Sequence, residues 1–141
     1  VVPCAADFFL VLVKPPIAVS TAWAFGQFKF ELTGVAKKTN ILKHYLEIGD
    51  IAALGTACFN DLEPVVMTEF PVVRRVVKAL RQPGASGVCM SGSGPTVFAL
   101  CASQDEARQV WQTVQSQGWS AWVCRPWQGE AEAPDCAEMD G

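Results

Sequence analysis

Histidine and tyrosine are nearly missing from this chain, one of each among 141 residues, and the scarcity removes several chemistries at once. The only histidine, His44, lies in a helical stretch with no partner at ligand spacing, so a zinc site is not expected and a structural place for His44 is. No Cys-x-x-Cys pair occurs among the six cysteines. Cys58, Cys89, Cys101 and Cys124 each sit inside an apolar segment, the pattern of buried free thiols in a reducing compartment such as cytosol. Long apolar runs are also lacking: none approaches the about 20 residues that span a bilayer, and the first residues lack the basic-then-apolar pattern of a secretory signal. A soluble protein without a membrane partner is expected.

What is present fits one domain. Half of the residues are apolar and 18% are charged, enough for a real core in a chain of this length. The net charge of −3 is unevenly placed, because five of the fourteen acids, Glu130, Glu132, Asp135, Glu138 and Asp140, fall in the last dozen residues. The remaining nine acids face eleven bases. A body near +2 suits a small anionic ligand and not duplex DNA, and nothing resembles a nucleic-acid patch. Residues 128–141, with few large apolar groups, read as an acidic, disordered tail on a folded unit spanning 1–127. The chain starts at Val1 without methionine and opens almost at once into a strand, so it reads as cut from a longer parent.

The strand Phe8 to Val13 ends at Lys14, since Pro15 and Pro16 cannot continue a central ladder. Ser20 is placed to cap a helix whose positions Thr21 and Phe25 share one face, setting a hydroxyl beside an aromatic ring. From Lys37 to Phe59 the helical period names Ile41, Leu42, Tyr45, Leu46, Ile48, Ile51 and Leu54 as buried, with a break at Gly49-Asp50. A helix from Pro71 turns Val73, Val76, Val77 and Leu80 inward and Arg74, Arg75, Lys78 and Arg81 outward. Val88 to Met90 and Thr96 to Cys101 read as adjacent strands. Ser103-Gln104-Asp105-Glu106 is a capping box opening a helix with an Ala107, Val110, Trp111, Val114 stripe, ended by Gly118. Trp119 to Cys124 closes as a strand. The fold class is α+β, an antiparallel sheet with helices packed on one face.

Between the two adjacent strands lies Met90-Ser91-Gly92-Ser93-Gly94-Pro95-Thr96. As residues alone it is either a tight hairpin turn or a place where something approaches the backbone, because glycine permits both. Its wording resembles the third signature motif of the GHMP family of small-molecule kinases. Lys14-Pro15-Pro16-Ile17-Ala18-Val19-Ser20-Thr21-Ala22-Trp23-Ala24-Phe25 and Phe59-Asn60-Asp61-Leu62-Glu63-Pro64 are similar to segments of one member, which phosphorylates an alcohol linked to cytidine diphosphate. The three stretches, in order, cover roughly residues 10 to 127.

The resemblance implies the ferredoxin-like C-terminal domain of a GHMP kinase, lacking the N-terminal ATP-binding domain that would be its natural partner. It implies ATP and Mg²⁺ as cofactors, with ATP held mainly by the absent domain, a role in non-mevalonate isoprenoid biosynthesis, and cytosol or plastid stroma as location. It assigns Thr21 and Phe25 to the cytidine side of the substrate, and Gly92, Ser93 and Gly94 to a loop bracing the phosphate-binding loop. It places no catalytic residue or metal ligand in this chain, which is expected to be inactive alone. Judged without the family, Phe25 reads equally well as a core aromatic, Trp23 as packing, and Asn60 with Asp61 as a helix cap between helices. Two other readings stay open: a free-standing ferredoxin-like module binding a small anionic ligand, and a GHMP enzyme acting on homoserine or a mevalonate phosphate.

Overall fold

The computed structural model describes residues 4–28 and 35–127; the acidic stretch 128–141 lies outside them. Ten elements follow in order: β1 (Phe9–Lys14), α1 (Thr21–Gly26), α2 (Val35–Ile48), α3 (Ile51–Ala57), α4 (Glu63–Glu69), α5 (Pro71–Leu80), β2 (Gly87–Met90), β3 (Val97–Cys101), α6 (Gln104–Gln115) and β4 (Ser120–Cys124). The strands form one antiparallel sheet in the order β2-β3-β1-β4. The first strand is therefore central, with Val11 opposite both Ala99 of β3 and Val123 of β4. This is the ferredoxin-like arrangement, with α1 to α5 between β1 and β2 and α6 between β3 and β4.

Alternation along the strands assigns the two faces. Phe9, Val11 and Val13 of β1 join Val97, Ala99 and Cys101 of β3 in the main core, where Val73, Val76, Val77 and Leu80 of α5 and Val110, Trp111 and Val114 of α6 meet them. The stripes expected for both helices are the ones buried, and Arg74, Arg75, Lys78 and Arg81 are exposed. Trp111 satisfies its indole N–H by donating to the Ala121 carbonyl at 3.0 Å, as a buried indole requires. On the opposite face a smaller cluster forms where Ile51 and Leu54 pack with Phe8 and Leu100, flanked by Leu10 and Phe98.

Helix ends follow local chemistry. Ser20 and Ser103 accept from the backbone N–H groups of Trp23 and Glu106 at 3.1 and 3.2 Å, each satisfying a donor that the first turn leaves open. Gly49, at φ 73°, ends α2, and Asp50 caps α3 by accepting from Ala53 N–H at 2.9 Å. The break at Gly49-Asp50 thus stands as read.

One expectation fails within α2. Ile41 and Ile48 are 39% and 55% exposed, while Leu42, Tyr45 and Leu46 make the contacts with the smaller cluster. Among the described elements this helix packs chiefly on α3, so only one flank is covered and the two isoleucines lie off that flank.

Helix α3 and strand β2 approach closely at two glycines that sequence patterning does not single out. A Cβ built on Gly55 of α3 would lie 2.3 Å from the Ser86 carbonyl oxygen, and one on Gly87 of β2 would lie 2.2 Å from the Gly55 oxygen. Helix and strand touch backbone to backbone here. That contact seats α3 on the start of β2, and the turn after α3 reaches the strand's last residue, Met90.

Candidate functional site

Three segments converge where β2 ends: the glycine-rich loop, helix α1, and the turn joining α3 to α4. The loop is closed at its base by Ser91 N–H donating to the Thr96 carbonyl at 2.8 Å, and is tightened by Gly94 N–H donating to the Ser91 carbonyl at 3.0 Å. Gly92 and Gly94 have φ of 56° and 78°, the left-handed region that glycine enters without penalty. Gly94 is confined as well, because a Cβ there would come within 2.8 Å of the Met90 sulfur.

Helix α1 meets the loop through one hydrogen bond between hydroxyls, Thr21 Oγ1 and Ser93 Oγ at 2.9 Å. One turn later, Phe25 lies 44% exposed and lines a cavity of about 300 Å³ together with Phe28, Phe59, Asn60, Asp61, Leu62 and Gly92. Lys38 of α2 places its ammonium 4.5 Å from the centre of the Phe59 ring, a cation over an aromatic face. The cavity therefore combines aromatic walls, a positive charge at Phe59 and the glycine-rich loop at one edge. Flat, electron-poor rings and anionic groups fit such a surface. Trp23 turns away from this cavity: its ring meets Phe70 edge to face at 5.5 Å and packs on the main core.

Of the residues expected from the sequence, Thr21 and Ser93 are in direct contact, Phe25 and Gly92 share the cavity wall, and Gly94 sits beneath the loop against Met90. The expected helix cap by Asn60 and Asp61 takes another form. The N-cap position of α4 is Leu62, and no side chain caps it. Asn60 instead accepts from Leu62 N–H at 2.9 Å and sends its amide NH₂ to the loop, donating to the carbonyls of Met90 and Gly92, both at 2.7 Å. Beside it, Glu63 accepts from Met90 N–H at 2.7 Å and faces Arg81 at 3.9 Å. Sequence reading passed over Phe28, Phe59, Lys38 and Glu63. Three of these come from segments that meet Phe25 only in the folded chain, and the wording Asn-Asp-Leu-Glu-Pro reads locally as a helix start.

No three His, Cys, Asp or Glu side chains among the described residues converge to hold a metal ion. This face of the protein presents rings, the Asn60 amide, the Asp61 carboxylate and the Thr21 and Ser93 hydroxyls. Behind it lie thiols that burial holds protonated. Cys89 is pushed up to about 12 by desolvation, with the Glu63 carboxylate adding to the rise, and burial also raises Cys58. Among the described cysteines, Cys4, Cys58, Cys89 and Cys101 carry free thiols. No helix of the described residues is long and apolar enough to cross a membrane.

The family model for the C-terminal part of GHMP kinases matches residues 42–119. The chain is similar to the 4-diphosphocytidyl-2-C-methyl-D-erythritol kinase of Geobacter metallireducens, 41% identical over 106 residues that cover 75% of this chain and 36% of the relative. It spans little more than a third of that relative's length. Among solved structures it superposes on homoserine kinase from Cytophaga hutchinsonii with a TM-score of 0.70 at 25% identity, covering 86% of this chain and 42% of that one. On a 4-(cytidine 5'-diphospho)-2C-methyl-D-erythritol kinase the TM-score is 0.64 at 24% identity, covering 85% and 43%.

Proposed function

The chain belongs to the GHMP kinase family, and from that membership we propose that it forms the acceptor-substrate side of an ATP-dependent kinase that phosphorylates the 2-hydroxyl of 4-diphosphocytidyl-2-C-methyl-D-erythritol. Residues 1–127 are its C-terminal domain, working with an N-terminal ATP-binding domain in the cytosol or, in a plant, the plastid stroma. The observation that carries the proposal is the aromatic cavity beside the glycine-rich loop. Its wall holds Phe25, in a segment similar to that particular kinase, and its edge holds Gly92. A homoserine or mevalonate phosphate has no flat base to use such a wall.

In this reading Phe25 stacks on the cytosine ring, an interaction that tolerates either face of the base and needs a second aromatic to close it. The hydrogen bond between the Thr21 and Ser93 hydroxyls ties the base-binding helix to the loop, so that base recognition and loop position form one unit. Gly92, Ser93 and Gly94 brace the phosphate-binding loop of the other domain. Phosphoryl transfer depends on holding donor and acceptor in line, and this chain contributes the acceptor's half of that alignment. Catalytic side chains, and the ligands for the Mg²⁺ that accompanies ATP, belong to the other half.

The test is ATP-dependent phosphorylation of the cytidine-linked substrate by the longer polypeptide containing this chain, beside the 141-residue chain alone and with homoserine as a competing acceptor. Transfer by the long form only, and to the cytidine-linked alcohol, is the expected result. Transfer to homoserine would reassign the substrate. Binding of the cytidine compound without transfer by the long form would leave a ligand-binding module.

A further inference from the structure

Asn60 stands between the two halves of the site: its side chain lines the aromatic cavity, and its amide holds the loop by two donated hydrogen bonds at 2.7 Å. Three of its four hydrogen-bonding positions are committed, the NH₂ group to the Met90 and Gly92 carbonyls and one lone pair of the oxygen to Leu62 N–H. With Glu63 accepting from Met90 N–H, both main-chain polar groups of Met90, the last residue of β2, are held by the α3–α4 turn and the first residue of α4. The loop leaves the sheet from that residue. Its far side is held by Thr21 through Ser93.

We propose that Asn60 is a positioning residue, setting the conformation of the glycine-rich loop from the cavity wall so that the loop's geometry and the contents of the cavity are coupled. The chemistry is specific to an amide. A carboxylate of the same shape would keep the bond to Leu62 N–H but turn an oxygen towards two carbonyl oxygens, replacing two attractions by repulsion. Gly92, held by one of those bonds, is also a cavity-lining residue, so a shift of the loop changes the cavity's edge. The consequence for turnover rests on the kinase reading, whereas the consequence for the loop does not.

The experiment compares Asn60→Asp with the unaltered chain by amide hydrogen exchange, and by steady-state kinetics in the longer polypeptide. Exchange at Ser91 and Gly94, whose N–H groups close the loop, should rise by about tenfold or more while the amides of α6 stay as they were. In the kinase assay kcat should fall by about tenfold or more with the acceptor KM changed less than about threefold. Equal acceleration of exchange in the loop and in α6 would reduce Asn60 to general stability and overturn the proposal. So would local acceleration with kcat unchanged in an active enzyme. If the unaltered long form transfers no phosphoryl group, the kinase reading fails, and exchange alone then decides whether Asn60 positions the loop. Should Asn60→Asp fail to fold, Asn60→Ala removes the same two bonds without the charge, and the same loop-specific acceleration is expected.

Discussion

Replacing Gly55 by alanine sets local preference against tertiary contact. Gly55 lies within α3, where alanine is the better helix former by about 1 kcal/mol; helix propensity alone therefore forecasts a more stable protein. In the fold the added methyl carbon would lie 2.3 Å from the Ser86 carbonyl oxygen, 2.5 Å from its carbonyl carbon and 2.8 Å from Gly87 N. All three obstacles are backbone atoms, so no side chain can rotate aside, and α3 must retreat from β2 by about 1 Å to restore ordinary contact. That movement loosens Ile51 and Leu54 against Leu100 and Phe8. Overpacking of this kind costs about 1–3 kcal/mol and sometimes more, which outweighs the gain in propensity. The net expectation is a loss of about 1–3 kcal/mol, read as a lower urea midpoint with unchanged slope. Gly26→Ala is the comparison: Gly26 is the last residue of α1 and a methyl there meets nothing within 4 Å, so propensity acts unopposed and the midpoint should hold or rise, by up to about 1 kcal/mol. A Gly55→Ala protein as stable as the parent would refute the backbone contact between α3 and β2.

Phe25→Ala in the longer polypeptide should weaken binding of the cytidine-linked substrate by about 1–3 kcal/mol and spare ATP; isothermal titration with each ligand checks it, and an unchanged substrate affinity would remove Phe25 from the site. The folded state keeps the Cys89 thiol protonated up to about 12 against a usual 9.0, so the unfolded chain loses that proton first. Stability is then full below pH 9 and declines as pH rises towards 12, with Cys101, raised to about 11, adding to the decline. Cys89→Ala should flatten the fall, and denaturant melts between pH 8 and 11 that are equally steep in both proteins would contradict the burial argument. Ser103→Ala removes the acceptor for Glu106 N–H and should lower stability by about 1 kcal/mol, visible as a shifted urea midpoint; no shift would mean that water replaces the cap.

Periods, caps and breaks are legible in the sequence. Val73, Val76, Val77 and Leu80 announce a buried helical stripe, Ser103 with Glu106 announces a helix start, and two glycines amid apolar runs announce the turn between β2 and β3. Each is a local property, written within a few residues of where it acts. Period also assigns a face, but it does not say what covers that face. Hence Ile41 and Ile48 match the helical pattern and are exposed, because among the described elements only one flank of α2 finds a neighbour. Only the folded chain shows that Gly55 meets Gly87, that Phe59, with Lys38 over its ring, joins Phe25 around one cavity, and that the Asn60 amide reaches across to the Met90 and Gly92 carbonyls. These pairs are distant along the chain, and short-range propensity carries no record of them. A residue such as Asn60 suits a local turn equally well whether its NH₂ group faces water or holds a loop, so its role exists only once β2 has been brought beside α3.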